Sequence, residues 1–350
     1  MTTMITGGGG FIGLALAERL LANGERVVLF DCAIPPAVLM CHFGARKPQL
    51  VVGDIRSAAD IDDALHTNDV DRVIHAAAIT PDAEREAREP LRVVDVNVAG
   101  TVNLLQRCAL AVHTGRQNLG RVLVLSSVAV YGVSAPLRNM YEEGSAHPAP
   151  LSLYGITKLA SEQAALRLAD LYKLDVCIAR LGPVFGPWEY ATGVRDALSP
   201  HQQVLAAALA GESVVLPRSM RADWLYSRDA ALALVALITH PSLRHAIYNV
   251  GGAVMTDVNQ WCDLVAGLLP PFQQDWSWRQ AQPNDMPTIQ YGLPVDRAAL
   301  SIERLQSEIF WSPAYSLARA AADQIAWETQ PVCIDDPAFS IDRKFEHGTS

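Results

Sequence analysis

The sequence predicts an α/β fold, a doubly wound parallel sheet with helices on both faces, followed by a smaller mixed domain. Three observations carry this. Short β-rich runs alternate with longer helical runs up to about residue 181, which is the pattern of βαβ units around a parallel sheet covered on both sides. A glycine-rich turn, TGGGGFIG (6–13), stands between the first strand and the first helix. Beyond 181 the rhythm weakens, and Pro, Trp and Gly become frequent in GPVFGPWEYATG (182–193).

The strands of the sheet read MTTMIT (1–6), RVVLFD (26–31), LVVGD (50–54), RVIHAAA (72–78), RVLVLSSV (121–128) and DVCIARL (175–181). Between them lie helical runs at 11–24, 60–67 and 96–112, and a helix beginning near 152. In that last helix Ser152 is the expected N-cap after Pro148 and Pro150, and Leu153, Ile156, Leu159, Ala160, Ala164, Leu168 and Leu171 recur with helical period. Further on come a helix at 199–211, a strand at 213–217, a helix at 229–240 and a strand at 246–252. The segment 270–283, rich in Pro and Trp, reads as loop, and the polar end 342–350 as frayed. The expected division is a sheet domain from 1–181 and 220–253, a second domain from 182–219 and 254–340 interleaved with it, and a tail at 341–350.

Composition excludes several classes. With 50% hydrophobic and 19% charged residues the chain is globular rather than disordered. A net charge of -9 argues against nucleic acid as a partner. The six cysteines, Cys32, Cys41, Cys108, Cys177, Cys262 and Cys333, are scattered without a C-x-x-C or a histidine cluster, so neither a metal nor a disulfide framework is expected. No basic leader and no apolar run of about 18 residues is visible, and a cytoplasmic protein without membrane contact is the expectation.

Two local patterns point to chemistry. Gly7, Gly10 and Gly13 recur at three-residue intervals, where a tight turn and a helix N-terminus hold a pyrophosphate on backbone amides. Asp31 ends the second strand, placed to accept both ribose hydroxyls of an adenosine and to repel a 2′-phosphate, which predicts NAD rather than NADP. The second pattern is Tyr154 and Lys158, four apart on one helix face. An ammonium beside a phenol lowers the phenol's pKa from about 10 and makes Tyr154 a usable general acid or base. Gly155 between them breaks a helix rule where chemistry needs space.

Taken together, these motifs resemble the extended short-chain dehydrogenase/reductases, the Rossmann-type NAD-dependent epimerases and dehydratases of nucleotide sugars, over residues 1 to about 250. TGGGGFIG, with Phe11 and Ile12 between its glycines, is similar to that family's T-G-x-x-G-x-x-G. GDI supplies Asp54 and Ile55 at the adenine, and HAAA, from His75 through Ala76 and Ala77, is the strand passing under the cofactor. NVAGT supplies Asn97, SSVAVYG supplies Ser126 and the active-site Ser127, and YGITK the Tyr-Lys pair. The resemblance implies that Tyr154 exchanges a proton with a substrate hydroxyl, that Ser127 donates to the same oxygen, and that Lys158 holds the nicotinamide ribose. His75 reads as a satisfied core histidine, and Asn97 as fixing the loops around the cofactor.

Departures from the pattern bear on the reaction. Dehydratases of this family carry Asp-Glu after the active-site residue, where this chain has Val128 and Ala129, which disfavours 4,6-dehydration. Gly182 stands where nucleotide-sugar enzymes usually have a phosphate-binding asparagine. Ala222 stands at their diphosphate arginine, leaving Arg221 one residue earlier to reach a phosphate, with Arg180, Arg195 or Arg218 as substitutes. These changes favour a smaller polyol, sugar or sugar acid over a nucleotide sugar. Trp188, Tyr190 and Trp224 are candidates to pack on a sugar face, with core filling favoured for Trp224. The leading expectation is reversible hydride transfer at a secondary carbinol. It ends as a dehydrogenase if the keto product leaves, or as a 4-epimerase if the product turns over and is reduced on its other face. A non-catalytic NAD sensor is the rival class. Helices rich in Ala and Leu permit the family's four-helix homodimer.

Overall fold

The structure is a computed structural model and describes residues 1–115, 118–133, 140–269, 276–292 and 296–331. Its first half runs β1 (Thr2–Thr6), α1 (Phe11–Ala22), β2 (Arg26–Asp31), α2 (Ala37–Cys41), β3 (Gln49–Val52), α3 (Ala58–Thr67), β4 (Arg72–His75), α4 (Ala83–Arg88), α5 (Pro90–Val94), α6 (Gly100–His113), β5 (Val122–Ser127), β6 (Met140–Tyr141), α7 (Leu153–Tyr172) and β7 (Val176–Leu181). There follow β8 (Val184–Phe185), α8 (Pro200–Ala210), β9 (Val214–Leu216), β10 (Leu225–Tyr226), α9 (Ser227–Thr239), β11 (Ile247–Val250), α10 (Val258–Leu268), β12 (Trp278–Gln280), β13 (Ala299–Leu300), α11 (Glu303–Ile309) and α12 (Leu317–Glu328).

Seven strands form one sheet in the order β11-β7-β5-β4-β1-β2-β3, every neighbour parallel. The chain moves outward from β1 to β2 and β3, then returns to the other side of β1 at β4. This reversal opens a crevice at the carboxyl ends of β1 and β4, where doubly wound sheets bind ligands. Because side chains alternate across a strand, consecutive residues enter different cores. Ile5, Leu29, Ile74 and Leu123 pack with α1 and α9 on one face. Met4, Val28, Val73 and Val124 pack with α3 and α6 on the other. A further cluster, built on Val204, Leu216, Trp224, Trp261 and Ala321, joins α8, α10 and α12 around Phe185.

Helix ends follow local chemistry. Ser152 accepts from Gly155 N at the start of α7, as expected. Ser199 accepts from Gln202 N before Pro200, and Gly211 ends α8 in the left-handed region. The structure also corrects two expectations. The helix expected from 96 begins with a π-helical turn, Asp95–Ala99, before α6. The loop expected at 270–283 contains β12, whose backbone pairs with β9. Its residues 270–275, and the tail at 342–350, lie outside the described residues. Among the described residues no helix is long and apolar enough to cross a membrane.

Candidate active site

The glycine turn is folded against β4. Gly7 has φ +66°, and a Cβ there would stand 2.6 Å from the backbone of Ala77. A Cβ on Gly13 would meet the carbonyl oxygens of Gly7 and Gly8 at 2.6 Å. The turn therefore closes on itself, with Gly10 N donating to Gly7 O at 3.0 Å, and leads into the N-terminus of α1. A cavity of about 400 Å³ opens there, lined by Gly7, Gly10, Asp31, Asp54, Ile55, Ala76 and Ala77 among others. Asp31 is fixed by Gly9 N, which donates to Oδ2 at 2.9 Å, and by Ala33 N on Oδ1. Arg56 holds the Asp54 carboxyl below its usual range by hydrogen bonding to it.

The second cavity, about 260 Å³, shares Gly7, Gly10 and Ala76 with the first and continues it toward the end of β5. Phe11, Ile12, Gly13, Ser126, Ser127, Tyr154, Lys158, Gly182 and Arg195 line it. Nearly all of the expected site is thus gathered in one cleft. Its two ends match a dinucleotide: a carboxylate for the ribose at Asp31, glycine backbone for the phosphates, and polar groups at the far end. The cradle whose space a Cβ would fill is the structural observation that this group fits.

Tyr154 and Lys158 come together as their spacing requires, but their coupling differs from the expected one. Lys158 Nζ lies 5.8 Å from the Tyr154 ring centre and donates to Leu125 O at 2.8 Å. Burial lowers Lys158 to about 8, against the pull of Glu162. Burial also pushes the Tyr154 phenol up, opposed by hydrogen bonding from Ser127 and Thr80 and by the charge of Arg195. Spacing alone predicts a phenol made acidic by Lys158; burial, which spacing cannot report, raises it instead, and the groups that oppose burial are Ser127, Thr80 and Arg195. Gly155 has a packing reason, since a Cβ there would lie 2.6 Å from Ala129 O. Its absence lets α7 sit against the turn that follows β5 and brings Tyr154 to Ser127. Ser127 Oγ accepts from Ala129 N at 3.1 Å and caps that turn.

Behind the cleft lies a polar scaffold. Asn97 is buried and lines neither cavity. Its Oδ1 accepts from Ile79 N, and its Nδ2 donates to Ile79 O and Thr157 Oγ1, so it ties the loop after β4 to α7. Its side chain is spent on this bracket, which is the loop-fixing part expected of it, and not on the cavity wall. His75 bridges Thr6 and Thr101 and is held to about 3 by burial, a satisfied core histidine. Ser126 donates to Glu162 at 2.5 Å, and Glu162 pairs with Arg180, whose Nη1 donates to Tyr131.

Two substrate-side expectations are corrected. Trp188 is 1% exposed, its Nε1 donates to Glu18, and its ring stacks on Phe43. It is a core residue because the chain turns it inward toward α1. Arg221 is exposed and lines neither cavity, while its neighbour Ala222 is buried in a backbone bridge with Thr256. Trp224 is core, as favoured. Gly182 does line the cleft, with a Cβ there only 3.1 Å from Asp223 O. Tyr190, an aromatic residue expected near the substrate, lines the cleft, as do Thr192 and Val194, which no spacing or periodicity marks in the sequence.

Comparison with known proteins agrees with this geometry. The family model for the NAD dependent epimerase/dehydratase family matches residues 3–251. A dTDP-L-rhamnose 4-epimerase of Burkholderia thailandensis is 26% identical, over 93% of this chain and 94% of that protein. A dTDP-glucose 4,6-dehydratase of Xanthomonas campestris is 26% identical, over 93% and 92%. The structure of a UDP-glucose 4-epimerase of Thermotoga maritima with UDP-glucose superposes with a TM-score of 0.74 at 20% identity, over 94% of this chain and 98% of that one. A dTDP-glucose 4,6-dehydratase of Bacillus anthracis solved with NAD gives 0.73 at 21%, over 94% and 96%. The chain belongs to the NAD-dependent epimerase/dehydratase family and is an NAD-dependent enzyme of the extended short-chain dehydrogenase/reductase type.

Proposed function

We propose that this enzyme reversibly oxidises a secondary carbinol of a sugar-like substrate, with Tyr154 as the acid and base. The observation that carries the reading is the single cleft that places Ser127, Tyr154 and Lys158 next to the glycine cradle. NAD, when bound, accepts and returns the hydride. Tyr154 takes the hydroxyl proton as the carbon is oxidised and returns it on reduction. Ser127 donates to the same oxygen, so that charge developing there meets a fixed hydrogen bond. Lys158, positively charged below about pH 8, lies 5.8 Å from the centre of the tyrosine ring. Its charge favours the phenolate form that the reaction needs, while Ser127, Thr80 and Arg195 oppose the burial that raises Tyr154.

A nucleotide-sugar 4-epimerase is the second reading. It is supported by the dTDP-L-rhamnose 4-epimerase that aligns over most of both chains. Dehydration is disfavoured because Val128 and Ala129, both buried, offer no carboxyl group beside Ser127. A homodimer is proposed through α6 and α7, where Val102 and Ile156 are exposed apolar side chains. The test mixes purified protein and NAD with sugars, sugar acids and UDP- or dTDP-sugars. Stoichiometric NADH marks net oxidation, and isomer formation without net NADH marks epimerisation. Turnover of nothing on the panel, with NAD bound, contradicts the proposal.

A further inference from the structure

The residues between β8 and α8 form a strap across the cleft that no glycine motif announces. Tyr190 OH donates to Gly9 O at 2.6 Å, fastening one end to the glycine turn. The other end is bound to the loop after β4. Thr80 N donates to Val194 O at 2.8 Å, and Asp196 N donates to Thr80 O. Arg85 pairs with Asp196 at 2.8 Å and donates to Gly193 O.

Arg195 is the cation on this strap. Its Cζ lies 5.4 Å from the centre of the Phe11 ring, and Phe11 is the first residue of α1, at the mouth of the phosphate cradle. One guanidinium nitrogen, Nη2, is held 2.9 Å from Oε1 of Glu189, whose side chain is fully buried. Glu189 is itself fixed by Ser199, whose N and Oγ each donate at 2.6 Å. The remaining N–H groups of Arg195 have no partner among the described residues, and the side chain lines the cleft. A guanidinium anchored at one nitrogen and free at the others is pre-organised to take an anion.

We infer that Arg195 is a cofactor-binding residue, clamping the dinucleotide's diphosphate from the side opposite the glycine turn, with the strap as its carrier. The inference rests on the family's dinucleotide and not on the proton chemistry of Tyr154. It is therefore tested by binding alone, measured by titration calorimetry with NAD, ADP-ribose and adenosine. Arg195→Gln is expected to weaken NAD and ADP-ribose by roughly 10- to 100-fold, the range of a charge-assisted hydrogen bond. Adenosine, which lacks the diphosphate, is expected to bind as before, and Arg195→Lys to recover part of the loss. Should all three ligands weaken alike, or should NAD affinity hold while KM for the carbinol substrate rises, the clamp is refuted. As a second reading of the strap, Tyr190→Phe is expected to speed NAD dissociation in stopped flow; an unchanged rate refutes the strap's part.

Discussion

Replacing Lys158 by methionine should make the protein more stable at pH 7 while removing its activity. The side chain is buried, and its ammonium is held to about 8 against an ordinary 10.5. That gap corresponds to roughly 3 kcal/mol of charge burial. Below pH 8 both folded and unfolded chains carry the proton, and the whole penalty is present. Between about 8 and 10.5 the unfolded chain binds a proton that the folded chain has released, so wild-type stability rises with pH across that window. Methionine has no charge to bury, but leaves Leu125 O without the 2.8 Å donor it has in the wild type, costing about 1 kcal/mol. The variant should therefore be more stable by roughly 2 kcal/mol at pH 7, an advantage that shrinks toward pH 10. Urea unfolding at pH 7 and pH 10 reads both values. A variant less stable than wild type at pH 7, or a difference that does not change with pH, would refute the reasoning.

Other consequences are as direct. Glu162→Gln leaves the Arg180 guanidinium buried opposite a neutral amide, and should cost roughly 3–5 kcal/mol in denaturant unfolding. Gly7→Ala forces a Cβ to 2.6 Å from Ala77 at φ +66°, and should lower stability by about 1–3 kcal/mol together with NAD affinity, measured by thermal unfolding and calorimetry. Trp188→Phe loses the bond to Glu18 and should lower stability by about 1 kcal/mol while KM for the carbinol substrate stays constant; a changed KM would return Trp188 to the substrate site.

The parts legible in the sequence are those whose chemistry is local. The glycine turn needs φ and space that only glycine gives, and so it marks itself between β1 and α1. Asp31 ends a strand, and Tyr154 and Lys158 are four apart on a helix, so their positions follow from the period of the element that carries them. The parts that stayed hidden depend on long-range contact. Trp188 reads as available to a sugar, but its indole donates to Glu18, 170 residues away. Asn97 reads in the sequence as fixing loops, yet which segments it ties appears only when Ile79 and Thr157 are seen on either side. The Tyr154 pKa went in the opposite direction because spacing reports a neighbour's charge but not the surrounding loss of water. Arg195 was one arginine among several until the strap set it over Phe11.

The central claim is that the Tyr154 hydroxyl carries the proton of the reaction. It is tested most directly by turnover of Tyr154→Phe on whichever substrate the panel identifies, with NAD affinity measured on the same sample. Loss of the acid and base should reduce kcat by roughly 10²- to 10⁴-fold. NAD affinity should stay near the wild-type value, because the glycine cradle and Asp31 are untouched. A variant that binds NAD and turns over at the wild-type rate would contradict the claim.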